Sequence, residues 1–288
     1  MRRYRHLRFP GGLAKAVTFS YDDGVVQDMR LADLFTRYGL KATFNLIGRE
    51  FRSALGNGMT DEQVREHILD AGHEVATHGL WHRAPGMLRP VEGIRDSLDC
   101  RLELESRFGR IVRGMAYPDT GINYYENEAA YESIRQYLKD LDIAYARRAH
   151  FEVHGEFELP HDFYCWNPTA HHNCPQLDEL MERFAACDPN AEKNWKGRAP
   201  KLFYVWGHAY EFDNNNNWDR AEGMCRMLSG HDNVWYATNI EICDYVSAYN
   251  SLRYSAGGSM IENPTCTDVW MDWDGTVFCV PAGKTVHI

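Results

Sequence analysis

The sequence lacks an apolar run long enough to cross a membrane, and it lacks an excess of positive charge. Its 288 residues carry a formal net charge of −10, which argues against broad binding to nucleic acid or to another anionic polymer. The N-terminus has charge but no apolar segment, so no signal peptide is predicted and we expect a cytoplasmic protein. The oligomeric state stays open at this stage.

The spacing of the cysteines argues against two further classes of protein. The eight cysteines are scattered without a CxxC pair, which favours buried thiols in a reducing compartment over a disulfide framework or a zinc ribbon. With 44% hydrophobic residues, the chain has enough apolar side chains for a sizeable core. The basic N-terminal stretch is interpreted as a solvated lead-in and contains Arg2, Arg3, Arg5 and Arg8.

Strand-like apolar runs alternate with segments of helical spacing along most of the chain. The predicted strands are 16–22, 42–47, 73–77, 111–117, 143–149, 202–207 and 234–238. The predicted helices are 27–39, 61–71, 91–108, 124–141, 176–187, 218–229 and 240–253. This alternation predicts an α/β protein with a parallel sheet. Seven such units fit a closed or nearly closed (β/α) barrel better than an open doubly wound sheet, which remains the alternative.

The pattern changes after residue 254. Two alternating runs, 269–273 and 276–280, flank an Asp-Gly pair, which is typical of a β-hairpin with a tight turn. We therefore expect a barrel domain over residues 1–254 and a small β-rich appendage over residues 255–288.

Polar side chains end four of the predicted strands, and packing alone does not explain them. They are Asp22 and Asp23 in "AVTFSYDDG", His78 and His82 in "HEVATHGLWH", Tyr117 in "GMAYPDTG" and His208 in "FYVWGHAYEF". In a parallel barrel the carboxyl ends of the strands meet at one mouth, where active sites are built. The sequence therefore predicts that these side chains converge.

The residue types at these strand ends suit a metal centre. Two adjacent carboxylates repel each other unless a positive group lies near them. One carboxylate with His78 and His82 forms a three-ligand set with open positions for water. The second carboxylate is then free to act as a general base on the metal-bound water. Taken alone, the Asp-Asp-Gly sequence is better explained as a helix cap.

Other histidine pairs have weaker claims to a metal. His150 and His154 share the HxxxH spacing, but they lie in a segment with strand alternation. Their imidazoles would be ~13 Å apart along an extended chain and could not share an ion. By contrast, the glycine in "THGLWH" lets His78 and His82 turn toward each other as on a helix. The adjacent pair His171–His172 is predicted to lie in a loop.

With these motifs the chain resembles the polysaccharide deacetylases, carbohydrate esterase family 4. "TFSYDDG" resembles the family's Thr-Phe-Asp-Asp-Gly motif with a two-residue insertion, and "HGLWH" resembles its His-(Ser/Thr)-x-x-His motif. "GMAYPDTG" and "WGHAYEF" resemble the third and the late motif. The similarity spans about residues 14–250. It implies a distorted seven-stranded (β/α) barrel, in agreement with the strand count.

The resemblance also implies a role for each residue. Asp22 would be the catalytic base, and Asp23, His78 and His82 would bind a divalent metal, usually Zn²⁺, with Co²⁺ or Ni²⁺ as alternatives. The backbone N–H of Tyr117 would stabilise the oxyanion. His208 would be the general acid. Aromatic side chains near the motifs are candidates for a wall that binds sugar rings, although core packing is the commoner role: Trp81, Trp166, Trp206 and Tyr210.

The sequence departs from the family pattern at two places. The position of the arginine that orients the base is taken by Ala116, and Arg113 lies three residues earlier. The partner of His208 is left open between Asp162 and Glu211. These departures affect the substrate class more than the type of reaction.

We therefore expect a metal-dependent hydrolase that removes acetyl groups from a carbohydrate, N-acetyl in preference to O-acetyl. One alternative is hydrolysis of a small non-sugar C–N bond, as in allantoinase and imidase relatives of the fold. Another is an inactive carbohydrate-binding protein, which would need no general base.

Overall fold

The computed structural model describes residues 4–122, 131–149 and 152–288. The first seven residues of the predicted helix 124–141, and also Arg2, Arg3 and His150, lie outside the described residues. The structural statements below refer to the described ranges.

The strands follow the chain in this order: β1 (Arg5–Arg8), β2 (Lys15–Asp23), β3 (Ala42–Leu46), β4 (Glu74–Thr77), β5 (Gly114–Ala116), β6 (Tyr145–Arg147), β7 (Ala170–His171), β8 (Lys201–Gly207), β9 (Val234–Tyr236), β10 (Arg253–Tyr254), β11 (Met260–Glu262), β12 (Val269–Trp273), β13 (Thr276–Val280) and β14 (Thr285–His287). The helices are α1 (Gln27–Arg37), α2 (Arg49–Ala54), α3 (Asp61–Gln63), α4 (Pro90–Phe108), α5 (Tyr131–Asp140), α6 (Leu177–Ala186), α7 (Tyr210–Asn214), α8 (Trp218–Leu228) and α9 (Asn239–Asn250). Helix α3 continues directly into a π-helical segment, Val64–Leu69.

A curled parallel sheet forms the centre of the molecule. Its strand order is β6-β5-β4-β3-β2-β8-β7, and β9 pairs with β2. This arrangement confirms the predicted α/β barrel-type fold and the seven strands proposed from the sequence. The sheet contains one further strand, β7, whose two residues are too few to give a recognisable pattern of alternation.

Strand β2 is buried on both of its faces. Val17, Phe19 and Tyr21 pack against the helices in the main hydrophobic core. Alternate residues point the other way, because side chains alternate across a strand. There Thr18 Oγ1 donates to Asn239 Oδ1 at 2.8 Å, and a buried network of polar groups fills the inside of the curl. Asp22 continues this inward-facing row to the carboxyl end of the strand.

Helix boundaries follow the expected capping chemistry. Thr60 and Gln63 form the predicted capping box at the start of α3. Thr238 and Glu241 form a second one at the start of α9. Gly109 ends α4 with φ +64°, a left-handed conformation that costs glycine little.

The C-terminal residues form the predicted hairpin. Strands β12 and β13 pair antiparallel, and Asp274 and Gly275 both have positive φ, 50° and 89°, as a tight hairpin turn of type I′ requires. Strand β1 then pairs with β12, with Arg5 opposite Trp273. The domain boundary at residue 254 remains a prediction.

The prediction of a solvated N-terminal lead-in is wrong for Arg8. This side chain is fully buried and its Nη2 lies 2.7 Å from Asp272 Oδ2. Arg198 Nε approaches the same oxygen at 2.5 Å. A buried carboxylate between two guanidinium groups ties the N-terminal strand to the C-terminal hairpin, because either charge alone would be costly to bury.

The helices in the described part of the chain include none that is both long and apolar enough to span a bilayer. All eight cysteines have free thiols, and four of them are buried.

Candidate active site

The polar strand ends converge as the parallel sheet predicts. At the carboxyl ends of β2, β4 and β8, His78 Nε2 lies 3.9 Å from Asp22 Oδ2 and His208 Nε2 lies 4.0 Å from the same atom. Asp22 and His78 are 2% exposed, so the centre of the site is largely shielded from water. Electrostatic interactions are strong in such an environment.

Asp22 is held by two side chains from other strands. Arg147, fully buried at the end of β6, donates from Nη2 to both carboxylate oxygens, at 2.6 Å to Oδ1. Asn45 Nδ2 donates to Oδ1 at 2.8 Å. Burial acts to raise the pKa of Asp22, but the charges of Arg147, His78 and His208 outweigh it and hold that pKa below its usual value. Asp22 is therefore a fixed carboxylate at neutral pH.

Asp23, His78 and His82 form a candidate metal centre. Asp23 Oδ1 lies 3.6 Å from His78 Nε2 and 3.5 Å from His82 Nε2. A tetrahedral ion with bonds of about 2.1 Å places its ligand atoms about 3.4 Å apart. The three ligand atoms thus already have the spacing that such an ion needs.

The hydrogen bonds of His78 indicate what fits between these atoms. His78 Nδ1 lies 2.9 Å from the carbonyl oxygen of Ala116. A carbonyl only accepts, so Nδ1 carries the proton and Nε2 of the neutral ring presents a lone pair. Asp23 Oδ1 is buried and has no hydrogen-bond partner. The Nε2 lone pair and the unpaired carboxylate oxygen are both electron-rich, and a cation between them would bind both. The residues therefore fit a divalent metal.

The backbone at this centre is strained. Asp23 and His82 have φ values of 84° and 52°, and such conformations cost non-glycine residues of order 1–3 kcal/mol each. Residues 78–82 form an irregular turn with Gly79 at φ +76°. The expected helical turn at this segment is therefore not found, although the imidazoles of His78 and His82 do meet, with ring centroids 4.9 Å apart.

Asp96 on α4 holds this turn in place. Its carboxylate accepts from the backbone N–H of Leu80 at 2.9 Å and of Trp81 at 3.2 Å. A Cβ on Gly79 would lie 2.7 Å from Asp96 Oδ2, so the close approach requires glycine. Asp96 carries no signal in the sequence, because it lies in the middle of an ordinary helix.

His208 is hydrogen-bonded to Glu211. Its Nδ1 lies 2.9 Å from Glu211 Oε1, so the proton on Nδ1 is donated and Nε2 faces Asp22. Burial lowers the pKa of His208, but the hydrogen bond to Glu211 and the charge of Asp22 raise it more, and the net pKa is above the usual value. Of the two predicted partners, Glu211 is the one in contact. Asp162 instead accepts from Tyr131 Oη at 2.5 Å.

The structure does not support the predicted oxyanion role of Tyr117. Its backbone N–H donates to the carbonyl of Arg147 at 2.9 Å, as part of the pairing between β5 and β6. Its hydroxyl donates to the carbonyl of Tyr164 at 2.8 Å. With both groups committed to the fold, Tyr117 has no free donor for an oxyanion.

The four predicted aromatic residues lie in different environments. Trp81 is 41% exposed beside the candidate metal centre, and the half-buried ring of Tyr210 lies 5.2 Å from that of His208. Trp206 is buried beneath the site, where the guanidinium of Arg147 lies 4.7 Å from its ring. Trp166 is buried in the core against Tyr204, with centroids 4.9 Å apart. Only Trp81 and Tyr210 are placed where a ligand could touch them.

The prediction of a loop is wrong for His171, which lies in a strand, whereas His172 does lie in the turn that follows it. Both are buried; His171 ends β7, and both lie within ion-pair distance of Glu211. Together with Glu211 they form a second cluster of potential ligand atoms. The only signal in the sequence is the unusual pair of adjacent histidines after an apolar residue.

Residues 5–145 match the family model of polysaccharide deacetylases. This range contains the first strand end, the HxxxH turn and Tyr117. The match confirms the resemblance inferred from the motifs. No curated protein matches the chain.

Solved structures share the fold at low sequence identity. A candidate polysaccharide deacetylase from Mycobacterium smegmatis is 16% identical, with a TM-score of 0.56, over 87% of this chain and 96% of its own. A variant of a family 4 carbohydrate esterase pseudoenzyme from Bacillus anthracis, with restored activity, is 16% identical with a TM-score of 0.51, over 83% of this chain and 70% of its own.

Proposed function

We propose that this chain, whose residues 5–145 match the polysaccharide deacetylase family model, is a metal-dependent hydrolase that removes acetyl groups from a carbohydrate. The observation that carries the proposal is the convergence of three functional groups at the sheet edge. These are the unpaired Asp23 with His78 and His82, the carboxylate of Asp22, and the imidazole of His208. Each corresponds to one requirement of acyl transfer to water.

The metal would be held by Asp23, His78 and His82. We propose Zn²⁺, with Co²⁺ or Ni²⁺ as substitutes, since one carboxylate and two imidazoles suit all three. When bound, the ion supplies Lewis-acid activation of the attacking water and of the acetyl carbonyl. The other groups of the site supply orientation and proton transfer.

Asp22 takes the proton of the attacking water. It is ready for this role because Arg147 and Asn45 fix its orientation and keep it ionised. The water oxygen forms a bond to the acetyl carbon as its proton moves to the Asp22 carboxylate. Because the base is already oriented, no conformational entropy is lost in placing it against the water.

His208 protonates the leaving group. Its Nδ1 is bound to Glu211, so Nε2 is the nitrogen that faces the reaction centre, and the raised pKa favours a proton there at neutral pH. As the bond from the acetyl carbon to the sugar nitrogen breaks, Nε2–H gives its proton to that nitrogen. The products are acetate and an amino sugar. We favour N-acetyl over O-acetyl substrates because an amine leaving group depends most on an acid.

Trp81 and Tyr210 are proposed as part of the wall that binds the sugar. Both have accessible rings near the two ends of the catalytic constellation, and sugar rings stack on aromatic faces. Trp166 and Trp206 are left out of this wall because both are 1% exposed.

The test is acetate release from a panel of acetylated sugars by metal-replete protein. The panel contains N-acetylated oligosaccharides, O-acetylated xylan fragments and, for the C–N hydrolase alternative, cyclic ureides. The proposal predicts acetate release, fastest from an N-acetylated sugar. Turnover of ureides alone would overturn it in favour of the C–N hydrolase, and sugar binding without any turnover would identify a binding protein.

A further inference from the structure

We propose that His171 and His172 are positioning residues that hold the carboxylate of Glu211 and, through it, the imidazole of His208. The inference rests on the proposed function, since His208 is the group that protonates the leaving amine there. Neither histidine belongs to the motifs from which the family was inferred.

Glu211 connects His208 to His171 and His172 through its two carboxylate oxygens. Oε1 lies 2.9 Å from His208 Nδ1. Oε2 lies 3.0 Å from His172 Nε2 and 3.3 Å from His171 Nε2, and it accepts from Asn173 Nδ2 at 2.8 Å. The orientation of the carboxylate toward His208 is thus determined by the groups around Oε2.

The hydrogen bonds of His171 determine which of its nitrogens carries the proton. Its Nδ1 accepts from the backbone N–H of Asn173 at 3.1 Å, so in the neutral ring the proton is on Nε2, facing Glu211. For His172, burial lowers the pKa to about 4, which keeps the ring neutral. The carboxylate oxygen only accepts, so the facing Nε2 of His172 also carries its proton.

These donors also explain the charge of Glu211. Burial acts to raise the pKa of its carboxyl, but hydrogen bonds from His171, His172 and His208 outweigh burial and hold the pKa well below its usual range. A permanently ionised acceptor is the stronger partner for His208, because charge-assisted hydrogen bonds are roughly twice as strong as neutral ones.

The same argument distinguishes this cluster from the metal centre. There, His78 Nδ1 donates to a carbonyl and leaves a lone pair on Nε2. In the second cluster His171 Nδ1 accepts and places a proton on Nε2. His78 and His171 therefore have opposite tautomers. The cluster around Glu211 is a set of proton donors rather than a second metal site.

Packing fixes the ring of His172 in place. The ring is stacked between Tyr21 and Phe212, with centroid distances of 5.7 Å and 4.2 Å and interplanar angles of 9° and 25°. It also lies against Gly207, where a Cβ would be 2.0 Å from His172 Nδ1. Gly207 directly precedes His208, so the residue that makes room for the buried ring is the one next to the acid.

The test uses His172→Phe, which preserves the stacking but removes the N–H. His172→Gln is the conservative rescue, because its amide nitrogen replaces Nε2. His171→Phe is a second variant in case the first does not fold. His73→Phe is the matched control, since His73 is also buried but bonds to Thr36 and Ala32.

The readout is the dependence on leaving group. An N-acetylated sugar needs an acid to release its amine, whereas 4-nitrophenyl acetate releases a stable phenolate without one. We expect His172→Phe to lower kcat on the sugar about 10- to 100-fold, a part of the 10²–10⁴-fold typical of a general acid. KM and the ester activity should change less than threefold, and His172→Gln should recover most of the sugar activity.

A general structural role would lower activity on both substrates equally, and that result, or unchanged sugar activity, would overturn the proposal. Two bound metal ions per chain, with one lost in His172→Phe, would also overturn it. If wild type released no acetate from any sugar, the proposed function would fail instead. Proton–nitrogen NMR of the metal-free protein would then decide: the His208 Nδ1–H signal should shift or vanish in His172→Phe and not in His73→Phe. No change in either variant would contradict the proposal.

Discussion

Arg147 and Asp22 form a fully buried ion pair that joins the ends of β6 and β2. Nη2 of Arg147 donates to both oxygens of Asp22, and the two side chains are 0% and 2% exposed. The guanidinium also donates from Nε to Ser20 Oγ at 3.2 Å. It therefore fixes the carboxylate at the centre of the site.

Loss of Arg147 should lower the free energy of unfolding. Arg147→Met leaves Asp22 as an unpaired buried charge, which costs about 3–5 kcal/mol in free energy of unfolding. Arg113→Met is the control, since its partner Asp244 is exposed and such pairs contribute about 0–1 kcal/mol. Urea denaturation measures the free energy of unfolding of the two variants. Equal stability of the two variants would contradict a structural role for the buried pair.

Asp22→Asn should keep the metal and lose turnover. An amide cannot take the proton of the attacking water, and removal of a general base costs about 10²–10⁴-fold in kcat. Asp23, His78 and His82 are left intact, so metal content should match wild type. The measurement is acetate release with elemental analysis on the same sample. Activity close to wild type would remove Asp22 from the mechanism.

Asp96→Asn should weaken metal binding from a distance. Asp96 now accepts hydrogen bonds from two backbone N–H groups. The NH₂ group of an asparagine would face one of these donors and could not accept from it, so the turn that carries His82 loosens. Changes of this kind cost about 10- to 100-fold in metal affinity. Competition with a chelator measures the affinity. Asp99→Asn, on the same helix and partly exposed, should bind metal as wild type does.

Because of Glu74, the free energy of unfolding should decrease as the pH rises from 4.5 to about 7. Burial raises its pKa from 4.5 to about 7, although hydrogen bonds from Ile240, Thr43 and Tyr145 act in the opposite direction. Between these values the folded state keeps a proton that the unfolded state releases, so the free energy of unfolding decreases by up to about 3 kcal/mol, at about 1.4 kcal/mol per pKa unit. The decrease should be absent in Glu74→Gln. Parallel pH curves for the two proteins would refute this.

The sequence predicts the parallel sheet and the convergence of Asp22, His78 and His208 because both leave local patterns. Alternating runs mark the strands, and Asp22, His78 and His208 each follow such a run directly. Parallel pairing then requires them to meet. Glu211 could be proposed as a partner because it lies one turn after His208.

The supporting residues leave no local pattern, because they act through contacts between residues that are distant in sequence. Arg147 is 125 residues from Asp22 and is one of many arginines. His171 ends a strand of two residues, which is too short to be recognised by its period. The resemblance implies an oxyanion role for the backbone N–H of Tyr117, but the pairing of β5 with β6 uses this group. Hydrogen bonds of this kind are visible only in the folded structure.

The most direct test of the proposed metal centre is elemental analysis of purified wild type, His82→Ala and His154→Ala, paired with acetate release. His154 shares the HxxxH spacing but is exposed and outside the site, so it serves as the control. We predict about one zinc-like ion per chain in wild type and His154→Ala, with both metal and acetate release lost in His82→Ala. Metal-free wild type under replete conditions, or His82→Ala with its ion and activity intact, would contradict the metal centre proposed here.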